Sequence, residues 1–127
     1  MKKFAAIMIL IITAGVLLAA CGEEGQQSSS ENINENEVKI AFTTPLTGNY
    51  AEYGVHFKNA SEIAAEEINA NGGINGKKLV IEHYDSKGDP KESTEIARKV
   101  TQARSYIAAL GDFTSSGAMA AAPIYED

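Results

Sequence analysis

Between Val38 and Leu110 the chain alternates: a short apolar run, a stretch of helical periodicity, a second run, a second helix and a third run. Val38-Lys39-Ile40-Ala41-Phe42 is β-branched and apolar and stops at Thr43-Thr44-Pro45, as a buried strand does. From about Ala51 to Asn71 the residues Phe57, Ala60, Ala64 and Ile68 recur at helical spacing, with Ile63 widening the stripe. That row is the expected buried face, and Lys58, Glu62, Glu66 and Glu67 lie elsewhere on a solvated face. Asn71-Gly72-Gly73 ends the helix. An Asn75-Gly76 turn then leads into Lys78–Asp85, a second strand whose last residue is a turn former. The second helix has the clearest start: Asp89 as N-cap, Pro90 at the first helical position, Glu92 three residues after the cap, and Ile96, Ala97, Val100 and Ala103 on the inner face. Tyr106–Leu110 is wholly apolar and predicts a third strand buried on both faces. After the polar loop Gly111–Gly117 a third helix begins near Ser116, with a kink at Pro123.

The order β-α-β-α-β-α specifies an α/β fold, a parallel sheet covered by helices with right-handed crossovers. The sequence reaches Tyr125-Glu126-Asp127 with no helix C-cap, and three parallel strands are few for a doubly covered sheet. The expectation is therefore the first three β-α units of a larger lobe, over residues 37–127.

Upstream the pattern is different. Lys2 and Lys3 precede an uncharged apolar run from Phe4 to Ala20, the layout of a secretory signal, residues 1–20. As a membrane span the run is marginal, with Thr13 and Gly15 near its middle. Leu18-Ala19-Ala20-Cys21 resembles the lipobox of bacterial lipoproteins, which implies cleavage before Cys21 and lipid attachment to its thiol. This is the sole Cys in the chain, so neither an internal disulfide nor a Cys-based zinc site is available. Cleavage there leaves 127 − 20 = 107 residues with charge 9 − 17 = −8. Residues 22–36, GEEGQQSSSENINEN, hold one apolar side chain, Ile33. They cannot bury enough surface to offset their ordering entropy and are expected to form a disordered tether, with the lipidated Cys21 at its head.

The intact chain carries 11 Lys plus Arg against 17 Asp plus Glu, net −6. This argues against nucleic acid as a partner, because affinity for phosphates rests on clustered cations. His56 and His83 share no ligand spacing with each other or with Cys21, so no metal is expected. Nor is a cofactor: the first βα loop, TTPLTGNY, has one glycine instead of Gly-x-Gly-x-x-Gly, and there is no Gly-Lys-Ser/Thr.

In open parallel sheets ligands bind beyond the carboxyl ends of the strands, here Thr43–Tyr53, Asp85–Asp89 and Gly111–Ser116. Thr114-Ser115-Ser116 places hydroxyls and backbone N–H groups together at a helix start, which suits a carboxylate or other anion, although plain N-capping accounts for the same residues equally well.

Three stretches, IAFTTPLTGNYAEYG, AAEEINANGGINGKKLVIEHYDSKGDP and GDFTSSGAMAAAPIYED, together resemble the periplasmic leucine/isoleucine/valine-binding proteins, substrate-binding subunits of ABC importers for branched-chain amino acids. The resemblance covers Val38 to Asp127. It implies a three-layer lobe of the periplasmic binding protein type I fold, of which this is the first part of the N-terminal lobe. It also implies a binding protein with no enzymatic activity, an amino-acid ligand held between two lobes, and an ABC transporter permease as partner. The location implied is the outer face of the bacterial membrane or the periplasmic side, with membrane contact through the lipid. Carried over by position, Ser115 holds the ligand carboxylate by hydroxyl and amide, Tyr53 forms an aromatic wall, and Ser116 and Thr114 are neighbours. Contacts to the ligand ammonium would lie after Asp127. Gly88 and Thr114 stand where some members have a disulfide. Two other outcomes remain open: a ligand-sensing extracellular domain of the same fold, or a truncated product without function.

Overall fold

The computed structural model describes residues 34–126. The expected signal segment 1–20, the expected lipid site Cys21 and the expected tether up to residue 33 lie outside them. Three parallel strands, β1 (Glu37–Thr44), β2 (Lys78–Asp85) and β3 (Tyr106–Leu110), form one sheet in the order β2-β1-β3. They alternate with α1 (Ala51–Ala70), α2 (Pro90–Gln102) and α3 (Ser115–Tyr125). The β1–β2 register runs unbroken from Glu37↔Lys78 to Thr44↔Asp85, so β1 extends through both threonines that were expected to end it. Asn36, assigned by composition to the tether, already accepts a backbone hydrogen bond from Lys78 at 2.9 Å.

Local chemistry explains the element ends. Asp89 accepts from the Lys91 N–H at 2.8 Å, with Pro90 opening α2 as expected. Asn75 and Gly76 both have positive φ, 53° and 80°, and Ile74 and Lys77 exchange backbone bonds across them at 2.8 and 3.0 Å. That is the geometry an Asn-Gly pair favours. Thr114, not a serine, caps α3, so the helix starts at Ser115, one residue ahead of expectation. α3 continues two residues past Pro123. The carbonyl of Met119, deprived of its donor, lies on an exposed turn where water can serve it.

The two sheet faces are covered differently. On one face Ala41 packs with Ile96 and Val100 of α2, flanked by Tyr84 and Tyr106. Beside them the Glu82 carboxylate accepts from the Tyr106 hydroxyl and from Lys39 Nζ at 3.0 Å. α3 packs on α2, on this side. On the opposite face lies α1, and here the expected buried stripe is wrong. The residues turned inward are Ala51, Gly54, Lys58, Ser61, Ala65 and Asn69, while Phe57, Ala60, Ala64 and Ile68 are exposed and Ile63 is 65% exposed. The small row wins because it lets the helix come close and bond. A Cβ on Gly54 would sit 1.9 Å from the Pro45 carbonyl oxygen. Ser61 Oγ lies 2.8 Å from His83 Nε2, and the Asn69 amide pairs with both backbone groups of Leu79 at 2.7 and 2.8 Å. Apolar content alone does not register these bonds.

β3 is likewise not buried on both faces: Ile107 is 70% exposed and Ala108 to Leu110 are exposed as well. β3 pairs only with β1 among the described residues, and α1 lies over β1 and β2. An apolar composition predicts burial only where a neighbouring layer reaches the strand.

Candidate functional site

The three loops at the carboxyl ends of the strands converge. Asp85, ending β2, accepts from the N–H groups of Leu46 at 2.8 Å, Thr47 at 3.1 Å and Lys87 at 2.9 Å, and from the Thr47 hydroxyl at 2.5 Å. One carboxylate thus stitches the first loop to the second. Burial opposes its charge, but the Thr47 hydroxyl and the three backbone donors outweigh that and hold its pKa below the ordinary carboxylate value. The turn-forming role expected of Asp85 is therefore extended across two loops. The third loop is held from behind: Asp112 accepts from the buried Ser93 hydroxyl at 2.6 Å and from the Thr114 N–H at 3.3 Å.

These ties present the first turn of α3. Thr114 Oγ1 accepts from the Gly117 N–H at 3.2 Å and its carbonyl from Ala118 at 2.9 Å. The N–H groups of Ser115 and Ser116 have no partner among the described residues, and both residues are exposed. Two free donors at the positive end of a helix, with two hydroxyls beside them, form an anion-receptive surface. Thr114 differs from its neighbours, since its oxygen is committed to the cap.

Tyr53, on the first turn of α1, is 52% exposed. Its ring stacks on Phe113, centroids 4.9 Å apart at 15°. Phe113 also meets Phe57 at 5.5 Å and Tyr50 at 5.7 Å. The structure therefore brings Tyr53 and the Thr114-Ser115-Ser116 run to one place through Phe113, a residue not singled out from sequence. The available signal was the spacing of Tyr50, Tyr53 and Phe57, an aromatic row on one side of α1 that needs a partner. Beneath Phe113 lies a recess of about 170 Å³ lined by Phe42, Thr44, Phe57, Gly111 and Asp112. The Thr44 hydroxyl is fully buried with no hydrogen-bond partner among the described residues.

Gly88 and Thr114 are neighbours as well. A Cβ on Gly88 would lie 3.8 Å from Thr114 Cγ2, and closer still to the ring of Tyr50. His83 sits away from the loops on the α1 face of the sheet, 5.7 Å from the Phe42 ring, and His56 is exposed. Burial pushes the His83 pKa below the usual histidine value.

The model of a family described as periplasmic binding protein matches residues 37–127. The chain belongs to the periplasmic binding protein family. Among curated members, the Leu/Ile/Val-binding protein of Escherichia coli strain K12 is 38% identical over 92 residues, covering 72% of this chain and 24% of that protein. Among solved structures, a periplasmic binding protein type 1 from Bordetella pertussis matches with TM-score 0.67 and 32% identity, over 71% of this chain and 24% of the other. The branched-chain amino acid transporter substrate binding protein LivJ of Streptococcus pneumoniae, solved in complex with isoleucine, matches with TM-score 0.67 and 29% identity, over 71% and 26%. The chain thus spans about a quarter of the length of these periplasmic binding proteins. The resemblance read from its motifs is correct, as is the α/β class with its parallel sheet.

Proposed function

We propose that this chain supplies the carboxylate-gripping part of an extracytoplasmic solute-binding lipoprotein that delivers branched-chain or related amino acids to an ABC importer. The observation that carries the reading is the pair of unpartnered N–H groups of Ser115 and Ser116 next to the Tyr53–Phe113 stack. An amino acid has a carboxylate and a side chain on adjacent atoms. The carboxylate would take the Ser115 and Ser116 amides and the Ser115 hydroxyl, charge-assisted bonds strengthened by the helix dipole. An aliphatic side chain would lie against Tyr53. Thr114 contributes by shaping the turn. Nothing in this arrangement calls for bond-making chemistry; it grips and releases, and a second lobe would close over the ligand.

The relatives support the solute class: one is named a Leu/Ile/Val-binding protein and another was solved holding isoleucine. Localisation follows from the N-terminus. A signal over residues 1–20 exports the chain, lipid on Cys21 holds it at the membrane, and the polar stretch 22–33 spaces the body from the surface. The partners are then the amino acid and the permease.

The 127-residue chain alone is expected not to bind amino acids appreciably, since it holds at most half of the clamp. The reading is therefore tested by calorimetric titration of an intact two-lobe protein containing this chain, the full-length protein of the experiments that follow, with the standard amino acids. The expected result is saturable binding of leucine, isoleucine or valine that each competes for. Absence of binding by any amino acid would overturn it.

A further inference from the structure

Tyr50 occupies the N-cap of α1, yet its side chain makes no capping bond. N-cap positions favour Ser, Thr, Asp or Asn, whose oxygen receives a first-turn N–H. A large aromatic there needs another reason. The ring lies against Gly88 of the second loop: a Cβ at Gly88 would come within 2.7 Å of Tyr50 Cδ2 and 3.3 Å of Cε2. Gly88 also holds φ +72°, a conformation that L side chains resist. The Tyr50 ring also meets Phe113 of the third loop at 5.7 Å and 58°. Tyr50 itself ends the first loop, which Asp85 fixes through Leu46 and Thr47. A ring carried by the first loop therefore touches both other loops that converge at the carboxyl ends of the strands. Its hydroxyl makes no hydrogen bond among the described residues, so contact between rings and backbone is what it contributes.

We propose that Tyr50 is a positioning residue: its ring, seated on the bare Cα of Gly88, holds Phe113 in its stack with Tyr53 and thereby sets the first turn of α3. Phe113 has three aromatic neighbours, and two of them, Tyr53 and Phe57, belong to α1. Tyr50 is the one that ties the Phe113 loop to the second loop. Without it, the Phe113 ring loses support on that side, and Ser115 follows two residues later in the chain. The consequence for ligand affinity rests on the functional reading above; the consequence for loop order does not.

The test compares Tyr50→Ala, Tyr50→Phe and Gly88→Ala in the full-length protein by amide hydrogen exchange without ligand and by leucine titration. Tyr50→Ala should speed exchange at the Gly117 and Ala118 amides, which Thr114 holds in the first turn of α3, at least tenfold, leave the β1–β2 ladder unchanged, and weaken leucine binding about tenfold. Tyr50→Phe should restore both. Gly88→Ala should also loosen those two amides, because its methyl displaces the ring; strain confined to the second loop would leave them unchanged. Unaltered exchange at Gly117 and Ala118 in a folded Tyr50→Ala protein overturns the proposal. So does global unfolding of both Tyr50→Ala and Gly88→Ala, which would make the contact a general stability element. Should the parent protein bind no leucine while the exchange pattern appears as described, the positioning role stands and the functional reading falls.

Discussion

The ring of Phe113 lies parallel to that of Tyr53, 4.9 Å away, and so joins the loop after β3 to the first turn of α1. Stacked aromatics contribute about 0.5–1.5 kcal/mol beyond their buried area. Phe113→Ala removes this pair and two further ring contacts from a half-exposed position. Urea unfolding of the full-length variant should show about 1–2 kcal/mol lost. An unchanged midpoint would mean that the stack does not hold the loops together.

Thr114 and Ser115 adjoin in sequence but differ in task, and their alanine variants should separate. Thr114→Ala deletes the oxygen that receives Gly117 N–H and should lower stability by about 1 kcal/mol. Ser115→Ala leaves that cap intact. It should cost about 1–3 kcal/mol of amino-acid affinity, the range for a charged acceptor short of a donor, with little change in melting temperature. Equal affinity in a folded Ser115→Ala protein would return Ser115 to the role of an ordinary first-turn residue.

Much of the fold was legible because the chain punctuates itself. Asp89-Pro90, Asn75-Gly76 and the apolar runs fixed the elements, since each signal acts through its own local backbone. What local pattern could not reveal was which face of α1 turns inward. Phe57, Ala60, Ala64 and Ile68 form the more apolar row, but Gly54 permits a close approach to Pro45, and Ser61 and Asn69 have partners on β2. Those partners are set by tertiary placement. β3 misled for a related reason: Ile107 and Leu110 carry no information on whether another layer covers them. Ser115, Ser116, Thr114 and Tyr53 were proposed from position and resemblance, and the structure brings them together around Phe113. Phe113 escaped because an aromatic in a short polar loop looks ordinary until Tyr50, Tyr53 and Phe57 are seen around it.

Acid should unfold the lobe partly through Glu82. The Tyr106 hydroxyl, and Lys39 and Tyr84 with it, outweigh burial and hold the Glu82 pKa below its ordinary 4.5. The folded state therefore releases this proton more readily than the unfolded chain. Its stabilisation is fully present above pH 4.5 and is lost as pH falls through the lowered folded value. Glu82→Gln should flatten the stability profile in that window and leave its shape between pH 5 and 6 unchanged. Chemical denaturation at stepped pH checks this, and a parallel shift at every pH would contradict it.

Cys21 should be the first residue of the mature protein and carry lipid. Expressed in a bacterium that processes lipoproteins, the native protein should partition into membranes with an N-terminal mass matching acylated Cys21. Cys21→Ser should release or mis-sort it. A mature N-terminus elsewhere, or an unmodified thiol in the membrane fraction, would refute the anchor.

The amides opening α3 are the proposed seat of the ligand carboxylate. Titrating the full-length protein with leucine and with leucinamide tests it most directly, since the two differ only at that group. Leucine should bind saturably and leucinamide about a hundredfold or more weakly, because a charge-assisted acceptor is replaced by a neutral amide that also brings donors to face the Ser115 and Ser116 N–H groups. Equal affinity for the two would contradict it.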